Sequence, residues 1–101
     1  MDRWKTLNLI KREISISPIG EQIINEVKTK VFGLVSSVSS DEWFAANREG
    51  INSKYRIEIY SFEYKGQEYV EMDGVIYKVY RTWEKGFDKV ELYLEQKVGE
   101  D

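Results

Sequence analysis

Carboxylates are the residues of this sequence with the most chemical potential. The chain contains no His and no Cys, which removes imidazole bases, thiol nucleophiles and thiolate metal sites. General acid–base work would fall to Glu42, Glu49, Glu58 and Glu63. Two such groups can divide acid and base roles when their surroundings push their pKa values apart. Each of the four has a plainer assignment, as a helix cap or as the solvated face of a strand. An all-oxygen metal site needs carboxylates at loop spacing, and the loop candidate Asp73 is fully explained by its Asp-Gly turn. The seven glycines are scattered among turns rather than grouped ahead of a helix, so no phosphate-cradling loop is expected. The expectation is no catalytic residue, no metal, no cofactor and no enzyme.

The aromatic residues offer a second chemistry. Tyr60, Phe62, Tyr64, Tyr69, Tyr77 and Tyr80 fall on neighbouring predicted strands. Barrels that bind single-stranded nucleic acid stack bases on such a row and hold the backbone in a cationic groove. Lys54, Arg56 and Lys78 would be the phosphate contacts. The plainer reading is cross-strand packing together with a subunit interface. The net charge of −3 and the pI of about 5.1 favour it, because no basic block is present. Trp43 and Phe44 read as anchors, in the core or at an interface, rather than as ligand contacts.

Length and composition set the frame. A chain of 101 residues, 42% hydrophobic and 33% charged, is expected to form one domain over residues 1–101. Such a domain hides roughly 65% of the surface its unfolded chain exposes. No apolar run reaches the length of a membrane span, and the N-terminal residues lack a signal-peptide pattern. No membrane partner is expected, and the expected setting is the cytosol.

The elements that must position these residues are mostly strands. Leu7 and Leu9 alternate with Thr6 and Asn8, and Ile14 and Ile16 with Ser15 and Ser17, until Pro18 removes a donor. Residues 1–20 thus read as a short strand followed by an extended arm or edge strand. Glu21 to Val35 reads as a long strand that begins half-exposed and ends buried on both faces, with Gly33 at a bulge or a close backbone approach. Residues 36–53 form a loop with a helix of two to three turns. Ser39 and Glu42 have capping-box spacing, with Ser40 as the competing cap. Asp41 and Glu42 lie at the positive end of the helix dipole, and Gly50 can end the helix. A helix so short is marginal alone, so Trp43 and Phe44 must pack on the barrel or on a neighbouring subunit.

Lys54 to Tyr64 reads as a strand with a bulge near Tyr60 and Ser61, and Lys65-Gly66 as a turn. Tyr69 to Met72 and Val75 to Trp83 read as a hairpin around Asp73-Gly74. After a turn at Glu84-Lys85-Gly86 comes Asp88 to Gln96, with Val90, Leu92 and Leu94 inward and Glu91, Tyr93 and Glu95 outward. Gly99 to Asp101 should fray. The fold class is mainly β: a small, closed or partly open antiparallel barrel of five to six strands, with one short helix between strands two and three.

The order of these pieces resembles the phage head-closure family, the head–tail joining or adaptor proteins of long-tailed phages and prophages. The resemblance rests on Val31-Phe32-Gly33-Leu34-Val35 and Ser36-Ser37-Val38, then Glu42-Trp43-Phe44-Ala45-Ala46 and Gly50-Ile51. It continues through Lys54-Tyr55-Arg56-Ile57-Glu58-Ile59, Gly74-Val75-Ile76-Tyr77-Lys78-Val79 and Val90-Glu91-Leu92-Tyr93-Leu94, about two-thirds of the chain. It implies a small barrel that joins copies of itself into a ring matching the portal, between the portal-bound adaptor and the tail completion protein. Packaged DNA would be a partner only by passage. The place would be the virion neck, and the bacterial cytoplasm during assembly. The loop at residues 36–53 would be the channel or gating element and interface, carrying Ser39, Asp41, Glu42, Trp43, Phe44, Arg48, Glu49 and Ile51.

Overall fold

Period-two alternation of apolar and polar side chains builds six strands, and their apolar faces turn toward one another. The computed structural model describes residues 3–96. In chain order the elements are β1 (Arg3–Ile16), β2 (Gln22–Ser37), α1 (Ser40–Arg48), β3 (Ser53–Tyr60), a 3-10 turn (Ser61–Glu63), β4 (Tyr69–Met72), β5 (Val75–Lys85) and β6 (Lys89–Glu95). All pairings are antiparallel and close a barrel in the order β1-β2-β3-β6-β5-β4. The fold class read from the sequence holds, including the helix between the second and third strands.

Every strand contributes to the core. Leu7 and Leu9 come from β1, Val31 and Val35 from β2, Ile57 and Ile59 from β3, and Val70 and Met72 from β4. Tyr77 comes from β5, and Val90, Leu92 and Leu94 from β6. Burying one Val, Leu or Ile side chain is worth about 1.5–3 kcal/mol, so this shared interior is the main stabilising term. The Asp73-Gly74 turn forms as expected. Both residues have positive φ, 53° and 78°, the pairing that matches the twist of a two-residue hairpin.

Several boundaries differ from the sequence reading. β1 runs unbroken to Ile16 and pairs with β2 along its whole length. The expected arm at residues 1–20 is therefore one side of a long hairpin turning at Ser17–Glu21. There, Gly20 N donates to Ser17 O at 2.9 Å and Ser17 N to Glu21 O at 2.8 Å. The end of β2 is not buried on both faces. Val31 and Val35 point into the core, while Phe32 stands outside and is 57% exposed, because no layer covers that face. No bulge occurs near Tyr60. The strand ends there and a 3-10 turn takes over. The irregularities lie instead between Ser53 and Tyr55 in β3 and between Val79 and Arg81 in β5. The last turn occupies residues 86–88, just beyond the expected position. Glu91 and Tyr93 point outward, yet both are buried. The expected fraying of Gly99 to Asp101 falls outside the described residues.

The outer face of β3 and β6 explains that burial in part. Glu58 and Glu91 are directly opposite, a like-charge pair that destabilises unless compensated. Lys85 meets Glu58 at 2.7 Å, Lys89 meets it at 3.8 Å, and Arg56 meets Glu91 at 3.7 Å. The Lys85 hydrogen bond, opposed by desolvation and helped by the nearby cations, holds the Glu58 carboxyl below its ordinary pKa.

Gly33 fixes how closely β2 approaches β3. A Cβ built there would lie 2.9 Å from the Cγ2 atoms of both Ile57 and Ile59, and 3.3 Å from the Glu58 carbonyl oxygen. The register with β1 is continuous through this point, so the glycine serves close approach and not a bulge. Gly33→Ala should therefore overpack the core and lower stability by about 1–3 kcal/mol. Urea unfolding followed by Trp fluorescence would measure the shift in midpoint.

Candidate assembly interface

The helix between β2 and β3 starts where the sequence places it. Ser39 is the N-cap, and its hydroxyl accepts from Glu42 N at 3.1 Å. At the other end Gly50 N donates to Asn47 O and Ile51 N to Ala46 O, both at 3.0 Å. These paired bonds satisfy carbonyls left open at the last turn. Gly50 takes the left-handed conformation, with φ 79°.

Glu42 makes only half of a capping box. Its backbone uses the Ser39 hydroxyl, but its side chain reaches across to β5. Tyr80 OH donates to Glu42 Oε2 at 2.7 Å, and the Arg81 guanidinium pairs with Glu42 Oε1. Two consecutive residues of a regular strand point to opposite faces. The irregularity between Val79 and Arg81 lets both meet one carboxylate, as strand bulges do when they re-aim side chains. Because the Tyr80 hydroxyl donates to Glu42, the Ser53 hydroxyl 2.7 Å away donates to Tyr80. Burial first, and then the Glu42 contact, push the Tyr80 phenol up to about 12, although the Ser53 bond works the other way.

From Arg81 the contacts continue across the sheet. Its guanidinium lies 4.2 Å from the Tyr93 ring centroid. Tyr93 OH donates to Glu91 at 3.2 Å, and Arg56, beside Glu91, donates from Nε to Ser36 Oγ at 3.2 Å. This polar layer covers Glu91 and Tyr93 and fastens the helix-bearing loop to the barrel through Glu42.

The rest of the helix faces out. Of its residues only Ala46 is buried. Asp41, Arg48 and Glu49 are exposed, and Ile51 is half-buried. Trp43 and Phe44 pack edge to face at 5.1 Å, yet they remain 41% and 60% exposed. Beside them an open groove of about 460 Å³ is bordered by Ser37, Val38, Ser39, Ser40, Ser53 and Lys54. The helix is thus held by its polar side and presents its aromatic side.

The residues named for nucleic-acid contact do not form one platform. Tyr60 and Phe62 stack at 5.7 Å, with Lys89 over Tyr60. Tyr64 turns toward the core and donates its hydroxyl to Gln67 O at 2.9 Å. Tyr77 is in the core, Tyr80 is tied to Glu42, and Tyr69 lies under Arg12. Arg56 is engaged with Ser36 and Glu91, Lys54 borders the groove, and Lys78 pairs across to Tyr69 and Glu95. Among the described residues, no group of three or more His, Cys, Asp or Glu side chains could hold a metal ion.

Sequence reasoning missed several exposed apolar groups. Trp4 and Phe32 stack outside the barrel, and Ile14, Ile16, Ile19, Ile24, Trp83 and Phe87 are each at least 60% exposed. Strand parity marks these as pointing away from the core face, but it cannot say whether a second layer covers them. Exposed apolar groups mark interaction sites in soluble proteins where they form a contiguous patch, and single ones are ordinary. No protein-family model matches the chain, and no curated protein is similar to it.

Burial of the Tyr80 phenol, with its bond to Glu42, gives the fold a pH signature. The folded phenol titrates near 12 against an ordinary value of about 10. Its stabilising contribution is complete below pH 10 and is lost as pH rises toward 12. Tyr80→Phe should flatten the stability curve over that interval and lower stability at pH 8. Chemical unfolding across the alkaline range, with tyrosinate absorbance followed in parallel, would check both effects.

Proposed function

We propose that this chain is a structural protein of a phage or prophage head–tail connector. Copies stand side by side in a ring between the portal-bound adaptor and the tail, and the protein carries out no chemical step. The observation that carries the reading is the outward Trp43–Phe44 pair, on a helix inserted between β2 and β3 and pinned to the barrel by one carboxylate. That placement matches the element order on which the resemblance to head-closure proteins rests. The exposed aromatic pairs Trp4–Phe32 and Trp43–Phe44 support a chain that is covered by neighbours in use.

The mechanism is geometric. The barrel is the rigid brick, and residues 36–53 are the part that meets the channel or the next protein. The ends of the loop are bonded to the sheet at Ser36, Asn52 and Ser53, and releasing the Glu42 side chain from Tyr80 and Arg81 loosens the helix between them. Short elements with little buried apolar surface are the ones that open first. DNA passes such a ring without sticking, because the chain is net acidic.

The stacked Tyr60 and Phe62 with Lys89 above them favour a second reading, a single-strand nucleic-acid-binding barrel. Filter binding of single-stranded DNA separates the two. Tight binding that weakens steeply with salt supports the second.

Cryo-electron microscopy of particles made with this chain tests the first reading. Density for the barrel should lie at the neck, and density elsewhere overturns it. Trp43→Ala should weaken incorporation about 30-fold or more, as loss of an interface hot spot does. Its unfolding free energy should change by only about 1–2 kcal/mol, since Trp43 is 41% exposed and its ring packs on Phe44 of the same helix. Equal losses of folding and assembly would assign Trp43 to the core instead.

A further inference from the structure

The groove beside Trp43 and Phe44 offers more than apolar surface. Its volume of about 460 Å³ falls in the range of clefts that hold small ligands, roughly 300–1,000 Å³. Val38 and the two aromatic rings form its apolar wall, and serines and Lys54 form the rest. Lys54 borders the groove because β3 is irregular there. Ser53 stands opposite Glu95 and Tyr55 opposite Leu94, so β3 takes two steps where β6 takes one. Lys54 is the extra residue. A bulged residue has no place in the ladder, and its side chain is re-aimed away from the regular alternation.

Among the described residues that line the groove, Lys54 is the one with a charge. It makes no ion pair among the described residues. The Glu42 carboxylate is committed to Tyr80 and Arg81, and Asp41 is exposed and is not part of the lining. The hydroxyls of Ser37 and Ser40 make no hydrogen bond among the described residues. The Ser39 hydroxyl accepts from Glu42 N, which leaves its own proton free to donate. The groove thus sets one cation and several hydroxyl donors beside an aromatic wall. One cation suits one negative charge. A nucleic-acid strand brings a row of phosphates and needs several cations, so this groove is poorly matched to it.

We infer that this groove binds a polypeptide segment of a neighbouring protein in which one Asp or Glu side chain stands next to an apolar one. The inference rests on the reading of residues 36–53 as the part that meets the next protein. The carboxylate takes the Lys54 ammonium and the serine hydroxyls, and the apolar side chain lies against Trp43 and Phe44. Those rings already pack edge to face at 5.1 Å, so covering them has a small ordering cost. The apolar contact supplies most of the affinity. The ion pair selects the acidic segment over its neutral analogue.

Amide NMR of the full chain tests the assignment. The probes are a blocked peptide, acetyl-Ala-Leu-Asp-Leu-Ala-amide, and its Asn counterpart, beside inorganic phosphate and a single-stranded oligothymidylate. The Asp peptide should shift the Trp43 indole signal and the amides of residues 37–44, 53 and 54 to saturation. It should bind about fivefold more tightly than the Asn peptide, the size expected of an ion pair in contact with water. Lys54→Gln should bring the two peptides to one affinity, and Trp43→Ala should weaken both. Unchanged signals from the barrel strands in each variant confirm that the fold is intact. Equal affinity of the two peptides for the unaltered chain overturns the inference. So does the lack of a saturable shift up to about 10 mM peptide, which corresponds to negligible affinity. Tighter binding of the oligothymidylate, or phosphate shifts as large as those of the Asp peptide, also overturns it. If the peptides fail while the chain lies at the neck, the groove assignment falls and the connector reading stands. If they bind while the chain lies elsewhere in the particle, the connector reading falls and the groove remains a peptide site.

Discussion

The closing of the barrel at β1 and β4 is the constraint from which the rest follows. Only Asn8, Leu9 and Ile10 pair with β4, and Leu9 and Val70 on this seam are fully buried. A sheet closed by so short a seam has a short height, and six strands give it a small circumference. Strands of fourteen and sixteen residues cannot all fit within it. The surplus length leaves the barrel as a ribbon, and the strand edges that closure removes elsewhere reappear there. The exposed apolar surface is a consequence of strand lengths that one barrel cannot accommodate.

The same economy governs the helix. Nine residues bury one Ala, far too little to hold a short helix against its own conformational entropy. The cap and the final turn contribute part of what is needed. Glu42 contributes the rest by accepting from Tyr80 and pairing with Arg81, both reached because the β5 ladder is irregular at that point. A partly buried carboxylate thus ties the helix to β5. Contacts of this kind are directional and saturable, so they fix the helix in one place without burying its aromatic face. Core-like packing would have hidden Trp43 and Phe44 and left nothing to present.

How much of this was legible in the sequence depends on range. Local chemistry was. The Asp73-Gly74 hairpin, the Ser39 cap, the Gly50 termination and the inward set Val90, Leu92 and Leu94 depend on residues within a few positions of one another. The close approach at Gly33 was legible as one of two options. The bulge expected at Tyr60 failed because a change of apolar parity marks a break in the strand without saying which kind, and here the chain takes a 3-10 turn. Burial of Glu91 and Tyr93 depends on Arg56 and Arg81 from other strands, which parity cannot report. The ribbon was half legible. Alternation through Ile14 and Ile16 identified extended chain, but whether a third strand lies beside it is a property of the whole sheet. For the candidate site, the outward Trp43–Phe44 pair was left open between core and interface, and the anchoring of Glu42 by β5 was not visible at all.

The distribution of exposed apolar groups bears on what sort of contacts this surface makes. Trp4 with Phe32, Trp43 with Phe44, and Tyr60 with Phe62 are each paired within the chain. A paired aromatic has already lost most of its rotational freedom, so a partner that covers it meets a smaller ordering cost. The isoleucines of the ribbon are β-branched and restricted at χ1 for the same benefit. Ion pairs within the fold fix some charged side chains as well, such as Arg12 with Glu26 and Arg81 with Glu42. The surface is therefore preorganised where it is apolar. That property suits rigid bodies that meet in one fixed geometry. It is poorly suited to a surface that must adapt to varied ligands, where mobile and uncommitted polar groups carry recognition.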